Sequence, residues 1–292
     1  MKVGLLTPEI DEWHVLQLIK HLRRRNVEHL IINPTKFVGY TLDKIEVLES
    51  NVKISNIDAL IVRRVPGGSL ERVIFRMDIL HLLEDLGTKV INSPSSIERT
   101  VDKYLTAVLL KREGIPVPPT IAVENFRDAM NAFRRLRGDV VIKPLFGSFG
   151  IGIVRITDED TAYRVFKAIN LARGVFYLQK FIPHGNEDLR VFIVGDEIVA
   201  AMKRVGESWK TNIAQGGIPK RVNLTSEIEE ISIKAAKILG LEYTGVDLIE
   251  GEDGKIYVTE LNSTPAWRGL QEVSETDIAE RIVDYVVRSI RR

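Results

Sequence analysis

The chain has no cysteine, which removes disulfides, thiolate zinc sites, iron–sulfur clusters and a thiol nucleophile together. Histidine is scarce: His14, His21, His29, His81 and His184 are the only five, and none shows a metal-ligand spacing such as His-Glu-x-x-His. Charge of one sign is lacking as well. Lys plus Arg number 41 and Asp plus Glu 40, leaving +1, too little for the chain-wide basic field that drives non-specific nucleic-acid binding. No apolar run approaches the roughly 18 residues of a membrane helix, and Met1-Lys2-Val3-Gly4-Leu5-Leu6 reaches Pro8, Glu9 and Asp11 too soon for a signal sequence. No nucleic acid, no membrane and a cytoplasmic location are therefore expected. What remains is an ordinary soluble mixture, 45% apolar and 28% charged over 292 residues, enough for about two compact units.

Short apolar runs alternate with helix-period segments through the first third. Val3 to Leu6, Leu30-Ile31-Ile32, Ala59 to Val62 and Val90-Ile91 read as strands. Val15, Leu18, Ile19 and Leu22 mark one face of a helix whose basic tip, Lys20 to Arg25, reads as exposed, and a second helix covers 70–86 before Gly87. Residues 1–95 are expected to form an open, mostly parallel α/β unit, with Arg63-Arg64 and Pro66-Gly67-Gly68-Ser69 on its ligand-facing rim. The loop from Asn92 to Ser96 is expected to cap one helix from Ile97 to Arg112. Residues 96–182 read as a compact α+β unit. Residues 183–292 form a third, with strands near 189–194 and 197–203, a helix from Ser226 stopped by Gly240, a hairpin over 243–262 and a C-terminal helix from Thr276.

Chemistry-bearing residues cluster in the last two units. Lys143 ends an apolar strand, and Gly147, Ser148, Gly150 and Gly152 follow at once. Small residues let backbone N–H groups turn toward an anion while the lysine adds a point charge, although a plain flexible turn has the same composition. No Gly-Lys-Ser/Thr ends the loop and a strand, not a helix, follows it, so it is neither a Walker loop nor a dinucleotide fingerprint. In the hairpin, a turn centred between Glu252 and Asp253 pairs Glu260 with Gly245 and Asp247 with Val258. Asp247 and Glu260 are then diagonal neighbours on one face, about 7–8 Å apart, and alternation adds Asn262. Three oxygen donors on one face suit a hard cation such as Mg²⁺ with nucleotide phosphates; a hairpin with its polar face in water is the other reading. Asp188 and Arg190 share a strand face, Lys203-Arg204 end the next strand, and Trp209-Lys210-Thr211-Asn212 with Gly216-Gly217 occupy an irregular loop. A surface ion pair is the commoner meaning of such charged residues, and loops of this kind often close over substrates, though many merely connect elements.

Taken in order, these motifs resemble the ATP-grasp superfamily and, within it, the RimK-like amino-acid ligases. The resemblance spans nearly the whole chain and rests on Asp102-Lys103, Val141-Ile142-Lys143-Pro144 with the glycine loop, Gln179-Lys180-Phe181-Ile182, Asp188-Leu189-Arg190, Arg204, Thr211-Asn212, Asp247 and Glu260-Leu261-Asn262-Ser263-Thr264-Pro265. It implies an ATP-grasp fold, α/β and α+β, behind an N-terminal open parallel α/β domain. By the same resemblance Lys103 and Lys143 contact the nucleotide phosphates, and Gly147, Ser148 and Gly150 cover them. Gln179, Lys180, Phe181 and Ile182 form the adenine hinge, Asp188 holds the ribose, and Lys210 and Thr211 complete the nucleotide site. Asp247, Glu260 and Asn262 bind Mg²⁺, as two ions, with Mn²⁺ as a substitute. Arg190, Arg204 and Asn212 surround the transferred phosphoryl group and the carboxylate it joins. The implied reaction is ATP plus a carboxylate giving an acyl phosphate, which an amine attacks to give an amide.

Two departures bear on the substrate. Ala266 stands where many relatives have glycine, and Lys210 precedes Thr211-Asn212 where the ribosomal-protein-modifying branch has arginine. The Trp-x-Thr-Asn form and the run from Trp267 to Gln271 look closer to archaeal α-glutamate ligases for a pterin or deazaflavin coenzyme, and to lysine-biosynthesis ligases acting on an amino-group carrier protein. Glutamate is the expected amine, joined to a carboxylate acceptor near the first unit's rim, and a homo-oligomer, dimer or tetramer, is expected. The rivals are a non-catalytic ATP-binding regulatory module and a nicotinamide enzyme. The latter is disfavoured because Thr7-Pro8-Glu9 follows the first strand where a Gly-x-Gly-x-x-Gly belongs.

Overall fold

The computed structural model describes residues 1–147, 151–213 and 216–291. The chain begins β1 (Lys2–Leu6), α1 (Trp13–Arg24), β2 (Glu28–Ile32), β3 (Phe37–Thr41), β4 (Ile45–Glu49), β5 (Val52–Lys53), β6 (Ala59–Val62), α2 (Leu70–Asp85) and β7 (Lys89–Ile91). Strands β2-β1-β6-β7 form a wholly parallel sheet, buried on both faces as such runs of Val, Ile and Leu require. The chain leaves β1 toward β2 on one side and returns at β6 on the other. The carboxyl ends of β1 and β6 therefore flank the switch point where open α/β sheets hold ligands, and the segments leaving them are 7–12 and 63–69. The antiparallel sheet β3-β4-β5 is absent from the alternation expected above. Its strands mix exposed and buried positions around Gly39, too short a pattern to announce itself.

The next elements are α3 (Pro94–Val101), α4 (Lys103–Arg112), β8 (Thr120–Val123), α5 (Phe126–Arg135), β9 (Val140–Lys143), β10 (Val154–Ile156), α6 (Glu159–Leu171) and β11 (Phe176–Lys180). The single helix expected over 97–112 is in fact two. Ser93 caps the first, and Asp102, extended at ψ 100°, caps the second by accepting from the N–H groups of Tyr104 and Leu105 at 2.9 and 3.0 Å. An Asp in helical sequence competes for backbone donors in this way. The break sets Lys103 at the first turn of α4. Strands β10-β9-β11-β8 form an antiparallel sheet with its own core of α5 and α6 residues.

The remainder is β12 (Glu187–Val194), β13 (Glu197–Val205), β14 (Ile218–Arg221), α7 (Ser226–Leu239), β15 (Tyr243–Glu250), β16 (Ile256–Asn262), α8 (Arg268–Val273) and α9 (Ile278–Ile290). Gly240 ends α7 at φ 73°, the left-handed cap that glycine adopts most readily. The five strands pair as β14-β13-β12-β15-β16, all antiparallel. This sheet packs on the first unit, and the two share a core in which β1 and α1 meet α9, Phe192 and Trp267. At the basic tip of α1, Lys20, Arg23 and Arg24 are exposed as expected, but His21 is fully buried and Arg25 pairs with Asp284 and Glu280 of α9. No helix of the described residues is long and apolar enough to cross a membrane.

Asn92, fully buried after β7, ties both ends of the β15–β16 hairpin together. Its Nδ2 donates to Tyr243 O (2.8 Å) and Ser263 O (2.7 Å), and its Oδ1 accepts from the N–H groups of Glu242 (2.6 Å) and Tyr243 (3.2 Å). Asn92→Ala strands buried backbone groups, and we expect a loss of about 3 kcal/mol or more, read as a lowered urea midpoint with an unchanged slope.

Candidate active site

Strands β12, β13 and β15 lie side by side and bring four charged residues to one buried wall. Arg190 pairs in register with Asp247, and Asp188 with Arg204. Arg190 grips Asp247 with both Nε and Nη2, the latter at 2.8 Å from Oδ2, and Arg204 reaches Asp247 Oδ1 at 3.1 Å. Arg204 also forks onto Asp188 at 2.7 and 2.6 Å. These are cross-strand, desolvated pairs, not the surface pairing that the spacing of Asp188 and Arg190 leaves open. Burial by itself would raise the Asp247 carboxyl; Arg190 and Arg204 outweigh it and hold Asp247 below the usual carboxylate range. Arg204 likewise loses hydration to burial, yet Asp247 and Asp188 raise it above its ordinary value.

Asp247 and Glu260 stand directly opposite one another, not diagonally as expected, and Asn262 faces Gly245. The register shifts between Asp247 and Leu248, where Thr259 is the extra residue of a β-bulge and donates its hydroxyl to Asp247 O at 3.1 Å. The bulge re-aims the strand while keeping all three oxygen-bearing side chains on one face. Glu260 has Lys103 Nζ at 3.7 Å, and the Nδ2 of Asn262 is buried without a hydrogen-bond partner. A buried amide without a partner is rare in a finished core. Among the described residues no three His, Cys, Asp or Glu cluster into a metal cage. Two carboxylates and an amide on one face instead fit Mg²⁺, which takes few protein oxygens and completes its shell with phosphate and water.

Across the cleft, Lys143 donates to Gln179 Oε1 at 2.8 Å, and the Gln179 amide points on to Thr120 Oγ1 (3.2 Å) and the Tyr177 hydroxyl (3.4 Å). Burial pulls the Lys143 amine below its ordinary pKa and pushes the Tyr177 phenol up to about 12. Lys103 at the start of α4 donates to Gly147 O at 2.7 Å, joining that helix to the glycine loop. Ser148 and Gly150 lie outside the described residues. Between the two walls is an open cleft. Lys143, Gln179, Asp247 and Glu260 line one part of it; Lys180, Phe181, Ile182, Asp188 and Arg204 another; and Lys210, Thr211 and Asn212 a third. Trp209 closes the apolar end against Phe181, ring centroids 5.8 Å apart. Arg190 and Asn262 are not among the residues that line the cleft; Arg190 lies against Asp247 and Gly245, and Asn262 faces Gly245.

A RimK-like ATP-grasp domain model matches residues 100–286. Over the full length of both chains, this one is 39% identical to a tetrahydromethanopterin:alpha-L-glutamate ligase of Methanocaldococcus jannaschii. The chain belongs to the RimK-like ATP-grasp family. It is an ATP-dependent carboxylate–amine ligase. A probable alpha-L-glutamate ligase of Trichodesmium erythraeum is 29% identical, covering 99% of this chain and 97% of that one. Among solved structures, the ATP-grasp ligase PsnB with minimal precursor, Mg and ADP aligns at a TM-score of 0.75 and 22% identity, covering 100% of this chain and 98% of that one. A RimK domain protein of Sphaerobacter thermophilus aligns at 0.78 and 19%, covering 98% and 99%. Both share the fold.

Two features of this RimK-like site escape a reading of motifs: Tyr177, beside the Gln179 that the hinge motif already includes, and Gly245. Tyr177 and Gln179 alternate with the apolar Phe176 and Leu178, a period-two signal that places both polar side chains on one face of β11. Gly245 carries no chemistry and is overlooked for that reason. A Cβ there would lie 2.9 Å from Arg190 Nη1, 3.1 Å from Arg190 Cδ and 3.3 Å from Pro265 Cβ, so glycine is what lets Arg190 lie flat against β15. Gly245→Ala should displace Arg190 from Asp247 and lower kcat about 10-fold or more, with a thermal midpoint within a few degrees of wild type; steady-state kinetics and a melting curve check both.

Proposed function

We propose that the cleft joins L-glutamate through its amine to the carboxylate of an acceptor that enters over the rim formed by 7–12 and 63–69. The observation that carries this reading is the opposition of Asp247 and Glu260 beside Arg190 and Arg204, facing Lys143 across one cleft. The nucleotide-binding units are taken as 96–182 and 183–292, with 1–95 supplying the acceptor rim. Adenine lies against Phe181, Ile182 and Trp209, where an edge would meet the Lys180 carbonyl and the Ile182 N–H. Asp188 takes the ribose, Lys103 and Lys143 hold the phosphates under Gly147, Ser148 and Gly150, and Lys210 and Thr211 close the third side. Asp247, Glu260 and Asn262 hold Mg²⁺, as two ions, or Mn²⁺ in its place. The chemistry that magnesium supplies when bound is neutralisation of phosphate charge.

An oxygen of the acceptor carboxylate attacks the γ-phosphorus, the O–P bond to it forms, the β,γ-bridging O–P bond breaks, and ADP departs. This brings anions together, and Arg190, Arg204 and Asn212 offset the repulsion and stabilise charge on the group in flight. Glutamate enters with its amine unprotonated. Its nitrogen attacks the acyl carbon, the carbonyl oxygen gains charge beside Arg190 or Arg204, and the C–O bond to phosphate breaks as the amide forms, the departing phosphate taking the proton that the nitrogen loses. The relatives named as α-L-glutamate ligases support glutamate as donor and a pterin-type coenzyme as acceptor. Neighbours solved with precursor peptides favour a second reading, in which the acceptor is a protein or peptide terminus such as that of a carrier protein.

The purified chain is expected to release ADP only when Mg²⁺, an acid and an amine are all present. Glu260→Ala should lose nearly all turnover, at least about 100-fold; normal turnover in that variant would remove the metal assignment. Incubation with ATP, Mg²⁺, labelled glutamate and a host metabolite extract, read by mass, identifies the acceptor. Label on a small coenzyme supports the first reading, label on protein the second, and nucleotide binding without product across a broad acid panel points to a non-catalytic module.

A further inference from the structure

The segment that leaves Asn262 is held by three side chains of the N-terminal α/β unit, at alternate residues. Asn92 Nδ2 donates to Ser263 O at 2.7 Å, Arg63 Nη1 donates to Pro265 O at 3.0 Å, and the Trp267 N–H donates to His14 Nε2 at 3.0 Å. All three are buried, Asn92 at 0%, Arg63 at 4% and His14 at 9% exposure. They come from three different places in the unit: the end of β7, the end of β6 and the first turn of α1. Because His14 Nε2 accepts, its proton sits on Nδ1, which donates to Glu12 Oε1 at 2.8 Å; the same oxygen takes Arg63 Nη2 at 3.2 Å. Arg63 also stacks over the Trp267 ring, 4.7 Å from its centroid.

The held segment touches the reaction wall at two points. Pro265 shares with Arg190 the space above Gly245, and Gly269 lies against Ile213, the residue after Asn212. Displacing residues 263–269 therefore moves what supports Asn262, Arg190 and Asn212 together, although no member of the grip is itself placed among the nucleotide or metal ligands.

We infer that His14, Arg63 and Asn92 are positioning residues that fix the metal-bearing face of β16 from the α/β unit, so that the crevice rim and the metal-dependent nucleotide site are energetically coupled. The inference rests on the assignment of Asp247, Glu260 and Asn262 as the metal face. Its physical content is that of outer-shell support: groups that touch neither metal nor substrate but fix those that do. Glu12 and Arg63 belong to the two rim segments themselves, so an acceptor bound there meets the grip directly, and coupling of binding free energies is reciprocal. His14 adds a sign with pH. Glu12 from the rim, and Arg63 and Arg268 from the elements packed against it, are the charged groups that face it, and burial is the largest cause of a pKa below the ordinary histidine value. At neutral pH it is the neutral acceptor that Trp267 requires; the grip is present above the ordinary histidine pKa and is lost as pH falls through the lowered one.

The test measures binding of MnADP, and of ADP without a divalent ion, by calorimetry on the full chain, beside melting curves. His14→Gln keeps an oxygen where Nε2 accepts, His14→Asn is too short to reach, and Arg63→Lys loses the fork between Pro265 and Glu12. We expect His14→Asn and Arg63→Lys to weaken MnADP binding about 10-fold while ion-free ADP binding is unchanged, and His14→Gln to stay within about twofold of wild type. Wild-type MnADP affinity should also fall at acid pH more than that of His14→Gln. Wild-type MnADP affinity in well-folded His14→Asn and Arg63→Lys overturns the grip alone. Should His14→Asn fail to fold, Arg63→Lys against wild type decides. Loss of ion dependence in wild type itself, or its persistence in Glu260→Ala, overturns the metal face and the grip with it.

Discussion

The carboxylate of Asp247 is the anion around which the site is built. Three N–H donors from two guanidiniums converge on it in a setting too dry for water to serve. A buried carboxylate is costly unless paired and hydrogen-bonded. Here the pairing also fixes two cations whose positive charge extends beyond what Asp247 alone offsets, since Arg204 needs Asp188 as well. The result is a wall of fixed, alternating charge that needs no rearrangement when a phosphoryl group arrives. Preorganisation of this kind, more than any single hydrogen bond, lowers barriers in charge-moving reactions.

That wall depends on strand geometry at ångström scale. Arg190 and Asp247 are register partners on β12 and β15, and Asp247 and Glu260 on β15 and β16, so one strand presents to both neighbours. A one-residue slip would turn these side chains to the opposite face. The bulge at Thr259 and the bare Cα of Gly245 are the local devices that hold register and clearance. The opposite wall is organised differently. A buried lysine is oriented by a single amide, whose other end is fixed by a threonine and a tyrosine. An Asp-Arg wall on one side and a buried lysine on the other leave a space suited to a polyanion carrying its own cation.

The α/β unit contributes rigidity as well as a rim. A core shared with α9 and the C-terminal sheet and the polar ties of Asn92, Arg63 and His14 make 1–95 part of the frame that holds the end of β16 and the segment that follows it. The relatives match this chain over the α/β unit as well as over the rest of their length.

Much of this was legible in sequence. Strand and helix positions followed from apolar period, with Val15, Leu18, Ile19 and Leu22 buried as their spacing requires, and the order of Lys143, Gln179, Asp188, Arg190, Asp247 and Glu260 was enough to indicate the family. The break at Asp102, the sheet β3-β4-β5, the bulge at Thr259 and the partner of each arginine were not. Period-two alternation states which face a side chain takes, because that depends only on the chain's own stereochemistry. It cannot state which neighbour stands opposite, because register, bulges and the contacts of Asn92 with residues about 150–170 positions away are set by packing between distant segments. Residue types and their faces were thus fixed locally; which charges meet, and how the α/β unit braces them, was decided only when the sheets closed on one another.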